Sequence, residues 1–238
     1  MNETLSPGAL PPGMRIYAIG DVHGCVDQLD RLHAQIAADL RRRPVPEATL
    51  LYVGDLIDRG PDSAAVVERL LGPPPMAVQN RICLLGNHEA MMLDLCAPKP
   101  PREGLELWLE NGGAATLGSY GIAAHAPLAE VVANLPATHL GFLRACPLRF
   151  IAGDYLFVHA GIRPGVALND QNPLDLLWIR EPFLSSVENF PLVVVHGHTP
   201  VPEPELLPNR ICIDTGACFG GLLTCAVLED DRIGFLQA

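Results

Sequence analysis

Five times along the chain a short β-prone run meets a glycine-bearing turn that carries aspartate, asparagine or histidine. The runs and turns are MRIYAI–GDVHG (14–24), TLLYV–GDLIDRG (49–60), RICLL–GNHE (81–89), YLFV–HAG (155–161) and PLVVV–HGH (191–198). In open α/β sheets the carboxyl ends of the strands form the binding crevice. Residues as distant in sequence as Asp21 and His198 are therefore expected to meet. Between the first three runs lie helical stretches. Leu29, Leu32, Ile36 and Leu40 recur at three- and four-residue steps. That stretch closes in Arg41–Arg43 before Pro44, which reads as a solvated helix end. Asp62 or Ser63 caps a second helix that stops at Leu71 and Gly72, and a third starts around His88 and runs to about Leu95. Strand and helix alternating at roughly 30-residue spacing give a βαβαβ core on a parallel sheet.

The rest of the chain differs in texture. Residues 1–13 are rich in proline and glycine without periodicity, and a flexible tail is expected there. Residues 14–238 read as a single domain. Within it, about 96–147 mixes prolines with helical pieces such as LELWLE, a helical insertion over one end of the sheet that is expected to act as a lid. From Leu148 the chain is β-rich again, and the short turns between its last strands predict an antiparallel second sheet.

Aspartate, histidine and asparagine are hard and borderline ligands that suit manganese, iron or zinc rather than a thiolate site. One carboxylate able to bridge, with several histidines and an asparagine, describes a two-metal site for phosphate chemistry. A lone Gly-Asp-x-His or GNHE can simply cap a helix; five such turns in order, each after a β-like run, do not share that explanation. The seven cysteines are odd in number and have no CxxC spacing, so they form neither a disulfide framework nor a zinc ribbon. They read as small buried hydrophobes. Cys25 is the exception, because it follows the first metal loop, where oxidation could disturb metal binding.

Acidic residues number 27 against 16 basic, a net charge of −11, which argues against a nucleic-acid groove. The apolar runs are far short of the roughly 20 residues that span a bilayer. The opening MNETLSPGALPPG has neither a basic start nor an apolar run, so the expected compartment is the cytoplasm. His33, His125 and His139 are expected in surface or structural roles. Glu89 is expected to favour a helix N-terminus.

GDVHG (20–24), GDLIDRG (54–60), GNHE (86–89), VHAG (158–161) and HGHTP (196–200) resemble the signature blocks of the phosphoprotein phosphatase branch of the calcineurin-like metallophosphoesterases. LLWIRE (176–181) and IDTGACFGG (213–221) extend the likeness to about residues 14–230. The resemblance implies two packed mixed sheets flanked by helices around the βαβαβ core. It implies two divalent ions, manganese first, with iron or zinc as alternatives. Asp21 and His23 would hold the first ion, Asp55 would bridge both, and Asn87, His159 and His198 would complete the second. Arg59 and Arg180 would grip the phosphoryl oxygens, where a guanidinium fork matches the geometry, and Asn87 would touch the phosphate as well. His88 would be the general acid, oriented by Asp58. His196 stands two residues before His198, and sequence alone does not exclude it as a ligand. Pro200 replaces the second histidine of a GHxH ending, which leaves the first metal with fewer protein ligands.

The implied reaction is in-line attack of a bridging hydroxide on phosphoserine or phosphothreonine in proteins, with phosphotyrosine and small aryl phosphates also within reach. The alternative is a symmetrical diadenosine tetraphosphate hydrolase. That sister group typically has alanine where this chain has Asp58, and GNHD where it has GNHE. A catalytically dead metal-binding regulator is a third reading, set aside because every catalytic position matches.

Overall fold

The computed structural model describes residues 3–238. Its strands are β1 (Glu3–Leu5), β2 (Met14–Ile19), β3 (Glu47–Tyr52), β4 (Asn80–Cys83), β5 (Arg149–Ala152) and β6 (Tyr155–Val158). They continue with β7 (Val193–His196), β8 (Glu205–Leu206), β9 (Arg210–Cys212), β10 (Thr224–Glu229) and β11 (Arg232–Gln237). One sheet has the order β1-β11-β10-β2-β3-β4 and the other β5-β6-β7-β9-β8; both are mixed. β2, β3 and β4 run parallel, joined through α1 (Val26–Arg42) and α2 (Ser63–Leu71), and α3 (Asn87–Leu95) follows β4. The Asp62 side chain caps α2 by accepting from the Ala65 N–H, and Gly72 ends it.

Period-two alternation along the strands sets the layers. Ile16 and Ala18 of β2 and Leu51 of β3 pack against Tyr155, Phe157 and Val195 of the opposite sheet. Tyr17 and Ile19, with Leu50 and Tyr52, point the other way into α1, α2 and α3. On the far side, Leu156, Val158 and Val194 meet Leu176 of α8 (Pro173–Trp178), Ile179 and Phe183. The result is a helix–sheet–sheet–helix sandwich. The carboxyl ends of β2, β3, β4, β6 and β7 open onto one edge, where the Val22 and His23 N–H groups donate to the Asp55 carbonyl and the Gly197 N–H donates to the His159 carbonyl.

Residues 96–147 carry α4 (Gly104–Trp108), a wider π-type turn over Leu109–Gly113, α5 (Ala114–Ser119), α6 (Leu128–Asn134) and α7 (Ala137–Arg144). Trp108, Leu117, Val131 and Leu143 are all fully buried in the cluster that covers the first sheet.

Three expectations are corrected. The last strands do not make an antiparallel second sheet: β6, β7 and β9 are parallel, and β10 returns to the first sheet antiparallel to β2. The 34 residues or so between β6 and β7 are ample for a parallel crossover. Residues 3–13 are not a flexible tail. β1 adds to the edge of β11, Leu10 is buried, and the Tyr155 hydroxyl reaches Ser6 and Gly8. Proline and glycine exclude a helix there but not an extended segment on an open sheet edge. Met1 and Asn2, also assigned to that tail, lie outside the described residues. Arg43 is not merely solvated; it pairs with Asp39 and Glu3.

His33 on α1 is buried, with Nε2 2.7 Å from the Tyr52 hydroxyl. Burial pushes its pKa down to about 4, whereas an unfolded histidine titrates near 6.5. Between those values the unfolded chain binds the extra proton, so stability contributed by this site is lost as pH falls from about 6.5 to about 4. In urea unfolding, His33→Leu should flatten the fall of stability over that window by up to about 1.4 kcal/mol per pH unit. Identical slopes for variant and wild type would show that His33 titrates freely.

Candidate metal centre

The backbone is strained where the chemistry is expected. Among the described residues, six non-glycine residues have positive φ, and five are His23 (43°), Asp55 (48°), Asp58 (72°), Arg59 (65°) and His198 (67°). Such conformations persist only when their surroundings over-determine them. Glu89 does much of that here. It is wholly buried, and its carboxylate accepts N–H bonds from Asp55 (2.9 Å), Leu56 (2.8 Å) and Ile57 (3.2 Å) of the second loop. It also accepts from the Gly86 N–H at 2.9 Å, which caps the first turn of α3. The helix-end role expected of Glu89 is therefore real but incomplete. The GNHE spacing signalled the cap; nothing in the sequence signalled the reach across to β3.

Two donor groups share Asp55. His23, Asp55 and His88 bring ligand atoms within 4.8 Å of one another, as do Asp55, His159 and His198. Asn87 joins the second group, its Oδ1 2.8 Å from His159 Nε2 and 2.9 Å from His198 Nδ1. Asp21, expected on the first metal, stands at the side of this cluster. Its Oδ2 accepts from the His198 N–H at 2.9 Å, and its Oδ1 is buried without a partner. His196 is in neither group; its ring packs edge-on against Phe183 at 5.0 Å. Among the other histidines, His139 is buried and links Tyr120 to Glu68, a structural tie.

The donor set fits a cation. The Nδ1 of His23 lies 2.7 Å from the Ile57 carbonyl and that of His159 lies 3.1 Å from the Val53 carbonyl. Assigning the ring proton to those contacts turns both Nε2 lone pairs toward Asp55. His159 Nε2 then faces Asp55 Oδ1 at 3.3 Å as well as Asn87 Oδ1, three lone-pair atoms together. Burial also pushes His23 and His198 down to about 3 and lowers His159, which keeps these imidazoles neutral. Metal ligation requires neutral histidine. Asp55, although burial opposes it, is held below the usual carboxylate range by the imidazoles around it, among which His88 is the one shifted toward its charged form.

His88 behaves oppositely. Burial pulls it down, but Asp55 and Asp58 outweigh burial and the net shift is upward. Its Nδ1 lies 2.7 Å from Asp58 Oδ2, with both side chains buried. Arg59, half-buried, sets Nη1 2.6 Å from His23 Nε2 and lies over the Phe219 ring at 5.4 Å. Arg180 is exposed beside the cluster and its charge contributes to the lowering of His198. Burial raises the Cys25 thiol, the reverse of an activated cysteine. Sequence reasoning missed Asp214 as a separate element. It is buried next to Asp21 and helps to push that carboxyl up, while its own is pushed up to about 6 by burial. Its only signal was its place in the IDTG block.

A family model described as calcineurin-like phosphoesterase matches residues 14–233. The chain belongs to the calcineurin-like phosphoesterase family. This phosphoesterase is 33% identical over 224 residues to serine/threonine-protein phosphatase 1 of Salmonella typhimurium, covering 90% of this chain and 92% of the relative. It is 28% identical over 232 residues to an asymmetrical bis(5'-nucleosyl)-tetraphosphatase of Halalkalibacterium halodurans, with 89% of each covered. Its fold is shared with a candidate diadenosine tetraphosphatase of known structure, at TM-score 0.67 and 24% identity, over 97% of this chain and 98% of that one. Among the described residues no helix of this phosphoesterase is long and apolar enough to cross a membrane.

Close packing makes the metal cradle intolerant of side chains. A Cβ on Gly197 would sit 1.9 Å from Asp21 Oδ1. Gly197→Ala should displace Asp21 and weaken metal binding by about 10- to 100-fold, the range for lost supporting contacts. Calorimetric titration of the metal-free protein with Mn²⁺ checks this; unchanged affinity would remove Asp21 from the site.

Proposed function

We propose that the chain hydrolyses phosphate monoesters, with phosphoserine and phosphothreonine in proteins as the main substrate class. The observation that carries this reading is the buried 2.7 Å contact between His88 and Asp58. An alkoxide is a poor leaving group unless protonated, and a positioned acid is typically worth about 10²–10⁴ in rate. A nucleotide anhydride leaves as a far weaker base and needs that acid less.

In this reading Asp21, His23 and Asp55 hold one divalent ion, and Asp55, Asn87, His159 and His198 hold the second, with manganese as the proposed metal. Bound there, the pair would activate the attacking water and neutralise phosphoryl charge. Arg59 and Arg180 grip the phosphoryl oxygens, supported by the amide of Asn87. As the water oxygen bonds to phosphorus, the ester P–O bond opposite it breaks. His88 gives its Nε2 proton to the departing oxygen, releasing the alcohol, while Asp58 keeps the Nδ1 proton and the ring plane in place. The second reading, symmetrical hydrolysis of diadenosine tetraphosphate, is favoured by a symmetrical bis(5'-nucleosyl)-tetraphosphatase of Dechloromonas aromatica, 34% identical over 154 residues.

The deciding experiment compares phosphoserine, phosphothreonine and phosphotyrosine peptides with diadenosine tetraphosphate, all with Mn²⁺. The phosphoserine and phosphothreonine peptides should give the higher kcat/KM; preference for the dinucleotide would overturn the reading. Arg180→Ala should weaken competitive inhibition by inorganic phosphate about tenfold, on the scale of one charge-assisted contact. Unchanged inhibition would place Arg180 outside the phosphate site.

A further inference from the structure

The insertion at 96–147 reads from sequence as a lid, yet its buried side chains reach the catalytic loop from below. Trp108, at the end of α4, donates its indole N–H to Asp58 Oδ2 at 2.8 Å, the same oxygen that meets His88 Nδ1. Thr116, on α5, donates its hydroxyl to the other oxygen, Asp58 Oδ1, at 2.6 Å. The Asp58 N–H in turn lies 2.9 Å from both Thr116 Oγ1 and Ser63 Oγ. Trp108, Thr116, Ser63 and Asp58 are all wholly buried. Between α4 and α5, the Gly112 carbonyl accepts the Arg59 N–H at 3.1 Å. A Cβ on Gly112 would meet Arg59 Cγ at 2.6 Å, so that glycine lies directly against Arg59.

We propose that the insertion is a fixed part of the acid machinery rather than a lid, with Trp108 and Thr116 as positioning residues that set Asp58 and, through it, the His88 ring. The physical reason is the left-handed backbone at Asp58 and Arg59. A free loop would relax from it, and the carboxylate would lose the direction in which it holds the imidazole. Two donors on two separate oxygens leave the carboxylate one orientation. The indole N–H and the imidazole N–H then converge on one oxygen, which turns the ring so that Nε2 faces the cluster around Asp55, 3.8 Å from Asp55 Oδ2.

This inference rests on the reading of His88 as the acid, and its test separates the two. The assay is kcat on a series of aryl phosphates from 4-nitrophenyl to phenyl phosphate, with the full-length protein and saturating Mn²⁺. Trp108→Phe keeps the ring and removes the donor; Thr116→Val keeps the shape and removes the hydroxyl. Each should lower the ratio of phenyl to 4-nitrophenyl turnover about tenfold, because only the poorer leaving group needs the proton. His88→Asn should lower the same ratio further, and Mn²⁺ affinity should stay unchanged in the Trp108 and Thr116 variants. If His88→Asn leaves the ratio unchanged, the acid assignment fails. If His88→Asn lowers it but both insertion variants slow all esters equally, or none, the positioning role fails and the contacts are structural only. Thermal melts identify a variant that is merely unfolded, and the other variant then decides.

Discussion

Asp55 is the point on which the two halves of the molecule close. Its carboxylate is buried, with Oδ2 3.4 Å from His23 of the β2 loop and Oδ1 3.3 Å from His159 of the opposite sheet. No single sheet could supply that set. β2 and β3 bring His23 and Asp55 together by parallel neighbouring, but His159 and His198 arrive only because a second sheet stacks on the first through Ile16, Ala18, Phe157 and Val195. The apolar layer between the sheets therefore fixes the distance between histidines that never share a sheet. Glu89 supplies the complementary constraint, tying β4 to the strained β3 loop so that Asp55 is not free to retreat into an ordinary helix cap.

Side chains of one type are shifted in opposite directions within this small volume, and the reason is local. His23, His159 and His198 meet burial with one carboxylate among them, and burial wins. His88 meets the same burial with two carboxylates, and burial loses. The second carboxylate, Asp58, is itself oriented by donors from outside the loop. The opposite shift of His88 thus comes down to one aspartate and its supports. On the proposed reading this is also what separates ester hydrolysis from anhydride hydrolysis on a shared metal framework, since the two reactions differ mainly in the basicity of what leaves.

What could be read in advance follows from the range of each signal. The β2, β3 and β4 runs, the Asp62 cap and the Gly72 stop were legible because strand period, capping and glycine are local. Convergence of Asp55 and Asn87 was legible because strand ends in a parallel core share an edge; His159 and His198 join them through the stacking of the second sheet. The return of β10 to β2 was not, since a hairpin of two apolar strands fits either sheet. The β1 segment was misread because sheet-edge pairing can order a stretch that has no pattern of its own. Trp108 and Thr116 sit in LELWLE and NGGAATLG, which show helix and turn but not which buried carboxylate their polar atoms will meet. Local sequence identifies the groups that act; the contacts that aim them are long-range.

The net charge of −11 bears on the same point. An anionic substrate should avoid a chain this acidic, and the crevice itself holds Asp21, Asp55, Asp58 and Asp214, all buried. Carboxylates gathered out of water stay ionised only beside positive charge. Burial pushes Asp58 up in spite of its contact with His88, and Asp21 is pushed up by burial and by Asp214. Two divalent ions would supply about four positive charges at this point and reverse the sign of the local field. On the proposed reading the acidic composition and an anionic substrate belong to one design: the carboxylates would hold cations, and the cations, with Arg59 and Arg180, would be what a phosphoryl group meets.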